Sequence, residues 1–509
     1  MFFEKHMLPL SFKQFIINES ENRRIIIFTG LAVIIQFYIF KNLYPFPNFL
    51  PDSYSYLETA YYNFDISMWP VGYSKFLRFI SVFNYTGTGL FFVQYSILQV
   101  SILFFILTVS FLLNPGKWAI RILTIFLVLN PLWLYVSNFV SSDSLFAALS
   151  IIWLVTLCWI VYKPGKDLVI FHGIILFIVF SVRYNALYYP IFSIAIVLIS
   201  KVNLKLKTAY LIAVCLPVFA FIGYTTSLYN KKYDTNQFSP FGGWQLASNA
   251  MYMYAHVVPK SPRHVPLSLK TLHELTYHHM DSLNHVKPKF RPDEELGVYY
   301  LWDVKAPMKS YLIKYSVGDS TTPYLKRWAK LAPLYKKYGT WLIRQYPIEY
   351  GKYYLWPNLI NYYSPSTEFL GYYNMDTDTI ENVAVQWFKY KTNKVHGYSR
   401  NKKIDVTSIF PTILAVINVV FIAGFIGFFF ISGFKRVNTV SKKLLVLLLL
   451  VWISNLLFSV IASPIVLRYQ VFPFIFTATF ATIILSHLLK ESKTDDQNES
   501  SNLDESSII

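Results

Sequence analysis

Hydrophobic and polar positions in this chain separate into long blocks instead of alternating at short range. Apolar runs cover residues 25–41, 89–113, 119–138, 144–162, 168–182, 185–200, 208–228, 409–434, 444–466 and 469–489. Most approach or reach the roughly 17–25 residues that carry a helix across about 30 Å of hydrocarbon. The pattern therefore predicts an α-helical polytopic membrane protein with about ten or more transmembrane helices. The first run is long enough to remain as a span. The mixed, polar sequence before it, through Arg24, does not read as a cleavable signal peptide.

The polar blocks orient the chain. Four short connections are basic: Asn114–Trp118 (NPGKW), Lys163–Asp167 (KPGKD), Lys201–Lys207 (KVNLKLK) and Lys435–Lys443 (KRVNTVSKK). Lys and Arg in short loops favour the cytoplasm, and all four share one side with Arg23 and Arg24 if the N-terminus is cytoplasmic. The other face then receives residues 42–88, the turn at Asn138–Asp143, the joint at Arg183–Asn185, residues 229–408 and the turn at Ser463–Arg468. The chain divides into an N-terminal transmembrane module (1–228), an extracytoplasmic domain (229–408), C-terminal transmembrane helices (409–489) and a cytoplasmic tail (490–509). The tail is polar enough to be expected disordered. The 229–408 domain, basic and tyrosine-rich, reads as a partly helical soluble fold whose surface suits anionic headgroups or an acidic glycan.

The first external loop is more elaborate than a connection requires. Pro51–Leu77 reads PDSYSYLETAYYNFDISMWPVGYSKFL, which predicts two amphipathic helices lying at the membrane interface, separated by the Trp69–Gly72 break. Tyr73, Phe76, Leu77 and Ile80 form the apolar face of the second. Asp52 follows Pro51 at the start of the first, where it reads as a helix cap. The positive helix end is expected to lower its pKa and hold it ionised.

Composition agrees with a lipid-solvated chain. Of 509 residues, 54% are hydrophobic and 15% charged, against about 25% charged in soluble proteins. The net charge of +18 divides between cytoplasmic turns and the external domain, which is not the pattern of a nucleic-acid-binding protein. The two cysteines, Cys158 and Cys215, lie inside apolar runs and offer neither a disulfide framework nor a metal site. Asn84-Tyr85-Thr86 is a glycosylation sequon on the external side. No phosphate-binding glycine loop, dinucleotide fingerprint or HExxH motif occurs. Asp376-x-Asp378 resembles a nucleotide-sugar metal motif, but that pattern is common by chance. His273, His278 and His279 lack ligand spacing, so a surface role is expected for them.

Ionisable groups at the membrane boundary are costly and so informative. On the external face they are Asp52, Asp143 in Val140–Phe146 (VSSDSLF), Arg183 in Ser181–Tyr189 (SVRYNALYY) and Arg468 in Arg468–Pro473 (RYQVFP). Each has a plain reading: the aspartates as helix caps, the arginines as interfacial anchors. Together on one face they could form one cleft, a carboxylate taking a proton from an attacking hydroxyl and guanidiniums neutralising a departing phosphate. Polyprenyl-phosphate sugars present such a phosphate at the membrane surface.

These residues resemble integral-membrane glycosyltransferases of the GT-C class, in the branch holding dolichyl-phosphate-mannose protein mannosyltransferases and lipid A aminoarabinose transferases. PDSYSY with Asp52, Asn130–Ser150 (NPLWLYVSNFVSSDSLFAALS) and Ser181–Pro190 (SVRYNALYYP) are similar in order and spacing to that family's first loop, second loop and later joint. The resemblance covers residues 25–200 well and the Arg-Tyr-x-x-x-Pro of 468–473 only loosely. It implies an inverting transfer from a polyprenyl-phosphate-linked sugar to a glycan, lipid or protein acceptor, at an extracytoplasmic active site in a bacterial inner membrane. Asp52 is then the general base. Asp143 is the second-loop acid, whose role in the family varies between acceptor orientation and metal coordination, which leaves a divalent cation as a candidate cofactor. Arg183 becomes a phosphate ligand supported by Tyr184 and Asn185, and Arg468 is added to it by side and charge. Two other readings stand beside this one: a polytopic transporter or lipid flippase, and an envelope glycan polymerase or ligase.

Overall fold

The computed structural model describes residues 11–200, 202–257, 265–315, 322–399, 402–431, 435 and 437–506. Lys201 and Arg436 of the basic connections, and residues 432–434 of the run at 409–434, lie outside the described residues, as do the ends of the chain at 1–10 and 507–509. Among the described residues there is no strand. The protein is helical, and three isolated backbone bridges join its loops: Asn48 with Phe139, Ser366 with Val466, and Thr379 with Lys394.

The N-terminal module begins with α1 (Phe12–Asn18), closed by a capping box between Ser11 and Gln14. It continues through α2 (Ser20–Leu43), α3 (Pro51–Tyr61), α4 (Gly72–Phe83), α5 (Gly87–Leu113), α6 (Lys117–Val128), α7 (Leu132–Asn138), α8 (Asp143–Tyr162), α9 (Lys166–Val182), α10 (Tyr189–Ile199) and α11 (Leu204–Tyr233). The next segment carries α12 (Phe241–Tyr254), α13 (Lys270–Asn284), α14 (Tyr299–Trp302), α15 (Pro307–Tyr315), α16 (Tyr324–Gln345), α17 (Pro347–Tyr350), α18 (Trp356–Tyr363) and α19 (Asn382–Phe388). The chain closes with α20 (Asp405–Ser408), α21 (Phe410–Phe430), α22 (Thr439–Ala462) and α23 (Val471–Ser506).

Among the described residues, eight helical segments are long and apolar enough to cross a membrane: α2, α5, α6 with α7, α8, α11, α20 with α21, α22, and residues 467–489. This is an α-helical integral membrane protein. The runs at 168–182 and 185–200 fall short of that length. Helix α9 has 17 residues, about 25 Å at 1.5 Å per residue, and the second run is a five-residue 3-10 turn followed by the 11 residues of α10. The extended backbone of Arg183 (φ −150°, ψ 135°) separates them. Toward the C-terminus, the helix of the last span continues through Ser506, where the polar composition suggested disorder. Propagating a nucleated helix costs far less than starting one.

Both amphipathic helices of the first loop form, as α3 and α4, divided at the Trp69–Gly72 break. Helix α4 buries Tyr73, Ser74, Leu77 and Ile80 and exposes Phe79, Val82 and Phe83. A second apolar face left exposed next to membrane spans is lipid-facing in character. Gly72 explains how close α4 lies: a Cβ there would sit 2.5 Å from the carbonyl carbon and oxygen of Ser181 at the end of α9.

Residues 229–408 split between two cores. Residues 244–354 have their own, in which Trp244 stacks on Trp328 (centroids 5.2 Å apart, 10° between planes) and meets Tyr335 edge-on at 4.4 Å. The segment from 362 to 404 belongs instead to the core of the transmembrane module, through Tyr362, Leu370, Tyr373, Phe388 and Ile404. Its docking is polar as well as apolar. Tyr373 Oη donates to the carbonyls of Phe46 and Pro47, Tyr398 N to Leu43 O at 2.8 Å, and the hydroxyls of Tyr44 and Ser399 pair in the buried interface.

Candidate active site

The loops predicted on one face meet at one end of the helices. Residues 44–50 run beside 138–140: Asn48 N donates to Asn138 O (2.8 Å) and Val140 N to Asn48 O (3.0 Å). Asn48 Oδ1 accepts from Asn374 N at 2.7 Å, tying in the 362–404 segment. On the other side Leu467 N donates to Ser366 O at 2.9 Å. The Asn358 side chain reaches the turn after α22, donating to Ser463 O and accepting from Ile465 N. These clamps, made by backbone and by two asparagine side chains, bring the starts of α3 and α8, the joint after α9 and the turn before α23 around one cluster of charges.

Asp143 is its centre. It is the first residue of α8 and its side chain is 1% exposed. Arg183 Nη1 donates to Oδ1, while Arg468 Nη1 (3.2 Å) and the Ser141 hydroxyl (2.8 Å) donate to Oδ2. Arg468, itself 6% exposed, also donates from Nε to Glu368 Oε2 at 3.2 Å and from Nη2 to Tyr469 Oη at 2.7 Å. The Tyr469 ring lies under both guanidiniums, 4.7 Å from Arg183 and 4.4 Å from Arg468, and Phe146 adds a second face to Arg183 at 5.7 Å. A buried cation, Arg468, and a half-buried one, Arg183, are thus held by carboxylates, a phenol and aromatic faces, the complement such charges require.

Asp52 sits at the edge of this cluster, half-buried in the first turn of α3, and hydrogen-bonds to none of the described residues. The helix cap is Leu50, with Ser53 Oγ accepting from Leu50 N at 2.8 Å, so Asp52 does not cap α3. Burial pushes its carboxyl above the ordinary aspartate range; Arg468 and Arg183 pull it back, and Asp143 adds to the rise. This reverses the expectation that a helix end would lower it: desolvation outweighs the helix field when the group faces protein rather than water. The neighbouring wall is Tyr56, whose hydroxyl pairs with Ser142 at 3.1 Å next to Asp143.

Glu368 is a member of the site that no residue pattern singles out. Its backbone lies in the left-handed region (φ 44°), an uncommon conformation for a non-glycine residue and one that collects at functional sites. Burial raises its pKa against the pull of Arg468, and Asp52 and Asp143 add to the rise. The left-handed backbone has no signature in the sequence SPSTEFLG.

Tyr184 and Asn185 lie apart from the charges. Tyr184 packs on Phe180 (5.6 Å) and Phe238 (5.0 Å) and, with Trp69 and Tyr229, lines a small separate pocket. Asn185 lines a cleft on the far side of Tyr469, described below. The other candidates have structural employment. Asp376 continues a left-handed turn begun by Asn374 and Met375, and Asp378 pairs with Lys394 at 2.9 Å. His273 is buried between Tyr338 and Tyr254, not on the surface. Glu58 is exposed, and Asp65 pairs with Lys75 at 3.5 Å.

The donor set does not fit a divalent cation. Hard cations need about six oxygen ligands, and here Asp143 and Glu368 are committed to guanidiniums whose charges repel a metal. Asp52 is the one carboxylate of the cluster without a direct partner among the described residues. No group of three His, Cys, Asp or Glu side chains placed to hold a metal occurs among the described residues.

Comparisons with protein-family models, with curated proteins and with solved structures return no match for this chain.

Proposed function

We propose that the protein is a membrane glycosyltransferase that moves a sugar from a polyprenyl-phosphate donor to an acceptor hydroxyl, with Asp52 as general base. The observation that carries this reading is the convergence of Asp52, Asp143, Arg183 and Arg468, four residues from separate loops, on one cluster at the ends of membrane-crossing helices. Support also comes from the two helices that form beside it, α3 and α4, and from the exposed apolar face of α4.

In this reading the donor phosphate takes bidentate contacts from Arg183 and Arg468 in exchange for part of their contact with Asp143 and Glu368. The acceptor oxygen attacks the anomeric carbon as the carbon–oxygen bond to phosphate breaks, with inversion. The acceptor proton passes to Asp52, and the electron pair leaves with the polyprenyl phosphate. The guanidiniums stabilise the charge that grows on that oxygen. Asp143 holds both guanidiniums in place, a positioning role. An aspartate whose pKa lies above the ordinary range is a better proton acceptor than a surface carboxylate.

The test is Asp52→Asn in the full chain, reconstituted in lipid and supplied with short-chain polyprenyl-phosphate sugars. Donor binding is expected to persist while sugar release or transfer falls by about 10²–10⁴-fold, the range of general-base contributions. Near-normal turnover in this variant would remove Asp52 from the chemistry. The transporter reading gains no support from His172, a buried polar group within α9, which is satisfied by Thr156 (2.7 Å) and Ser193 (2.8 Å).

A further inference from the structure

Beside the charged cluster lies a cleft of about 450 Å³, counting the space open to solvent. Two of its walls, Phe146 and Tyr469, are the rings that face the Arg183 guanidinium, so whatever occupies the cleft abuts the proposed phosphate site. The rest of its lining is half apolar, half amide and hydroxyl, the latter from Asn185, Asn455, Ser459, Ser463 and Gln470. Among the described residues, no lysine, arginine, aspartate, glutamate or histidine lines it.

Gln470 makes the cleft informative. It is 2% exposed, and its Oε1 has no hydrogen-bond partner among the described residues. An unsatisfied buried carbonyl costs on the order of 1–3 kcal/mol, and a hydrocarbon chain offers no donor to relieve it. A ligand hydroxyl does. Asn455 is already oriented, donating to Tyr188 Oη and accepting from Tyr362 Oη, both at 3.0 Å, so part of the polar lining is fixed before any ligand arrives. A charged sugar substituent buried here would find no partner of opposite charge in the lining itself, and a buried charge without a direct partner is strongly unfavourable.

We propose that this cleft seats the glycosyl group of the donor and selects an uncharged sugar, a hydroxyl of which donates to Gln470 Oε1. The proposal rests on the glycosyltransferase reading and specifies its substrate: a neutral hexose rather than an amino sugar or a uronic acid.

The test measures binding of four probes to the full chain in lipid nanodiscs: short-chain polyprenyl phosphate alone, and its esters with a neutral hexose, an amino sugar and a uronic acid. The neutral ester is expected to bind about tenfold or more tighter than bare polyprenyl phosphate, and the charged esters no tighter than it. Gln470→Leu is expected to lose about tenfold for the neutral ester, roughly one hydrogen bond, with bare polyprenyl phosphate unchanged. Gln470→Glu, which keeps the side-chain shape and adds a carboxylate, is expected to turn preference toward the amino sugar. Equal binding of the neutral ester and bare polyprenyl phosphate, or tighter binding of a charged ester by the native protein, overturns the cleft assignment and leaves the glycosyltransferase reading standing. So does a Gln470→Glu protein that binds bare polyprenyl phosphate normally yet keeps the native sugar preference. Failure of all four probes to bind the native protein overturns both.

Discussion

Replacing Asp143 by Asn isolates the electrostatic balance of the site. The substitution keeps the shape but leaves Arg183, 16% exposed, without its carboxylate, and Arg468, 6% exposed, with Glu368 alone. Removing one partner from a buried charge pair costs about 3–5 kcal/mol. Two features place this case near the lower end: Asn retains one carbonyl acceptor, and Arg468 keeps its bond to Glu368 and its seat on Tyr469. About 3 kcal/mol is therefore expected, read as a lowered melting temperature of the protein in detergent or nanodiscs by intrinsic tryptophan fluorescence. The informative measurement adds polyprenyl phosphate. In the native protein the ligand competes with Asp143 for the guanidiniums; in the variant it replaces a missing anion and should bind more tightly. At a concentration about 100 times its dissociation constant it returns about 2.7 kcal/mol, most of the deficit. The reasoning fails if Asp143→Asn melts like the native protein, or if polyprenyl phosphate stabilises both equally.

Three other perturbations are sharp. Asp52 binds its proton more tightly in the folded protein than in the unfolded chain, so its charge costs stability, a cost absent below the ordinary aspartate pKa and fully present once pH exceeds the raised value. Asp52→Asn should therefore melt at or above the native temperature at neutral pH while losing turnover, and native turnover should fall as pH drops through the raised pKa, followed by donor consumption; a lowered melting temperature would refute the desolvation argument. Glu368→Gln removes a competitor for Arg468 and should tighten polyprenyl-phosphate binding a few-fold by titration calorimetry; weaker binding would mean Glu368 holds Arg468 in its productive position. Asn48→Ala leaves the buried Asn374 N–H unpaired, at about 1–3 kcal/mol, and should lower kcat more than it raises the donor KM, since it loosens the clamp that sets Asp52 against Asp143; unchanged kcat would show that the backbone bridge suffices alone.

What the sequence made legible follows from how lipid acts on a chain. Lipid demands long apolar runs, and a boundary charge is expensive enough to be noticed one residue at a time. That is why the spans, the two helices of the first loop, Asp52, Asp143, Arg183 and Arg468 could be picked out from residues alone. It is also why the loops assigned to one face by basic-loop alternation are the ones found in contact. Length was the weaker guide: the runs on either side of Arg183 are apolar enough for spans but, at 17 and 11 helical residues, too short to qualify as membrane-crossing helices by themselves.

The illegible part has a different cause. The pairings that assemble the site, Asn48 with 138–140 and Ser366 with Val466, are backbone contacts, and backbone contacts leave no residue-type signal. Glu368 illustrates the consequence. In the sequence it is one acid among the polar residues of a loop more than a hundred positions from Asp143 and a hundred from Arg468. It enters the site because Leu467 N bonds to Ser366 O and because its backbone turns left-handed two residues later. Its place beside Arg468 then makes it, with Asp143, a competitor with a phosphate for that guanidinium. The same clamp explains why residues 362–404 share the core of the spans while 244–354 pack on their own. The first group is held by the site it helps to build, and the second is joined to the spans through contacts such as Asn249 with the carbonyls of Ile461 and Ala462. A ligand drawing Arg468 away from Glu368 would loosen the hold on the 362–404 segment at Glu368 and leave the stacked Trp244–Trp328 core untouched, so hydrogen exchange on donor binding should change in 364–371 and not in α12 or α16.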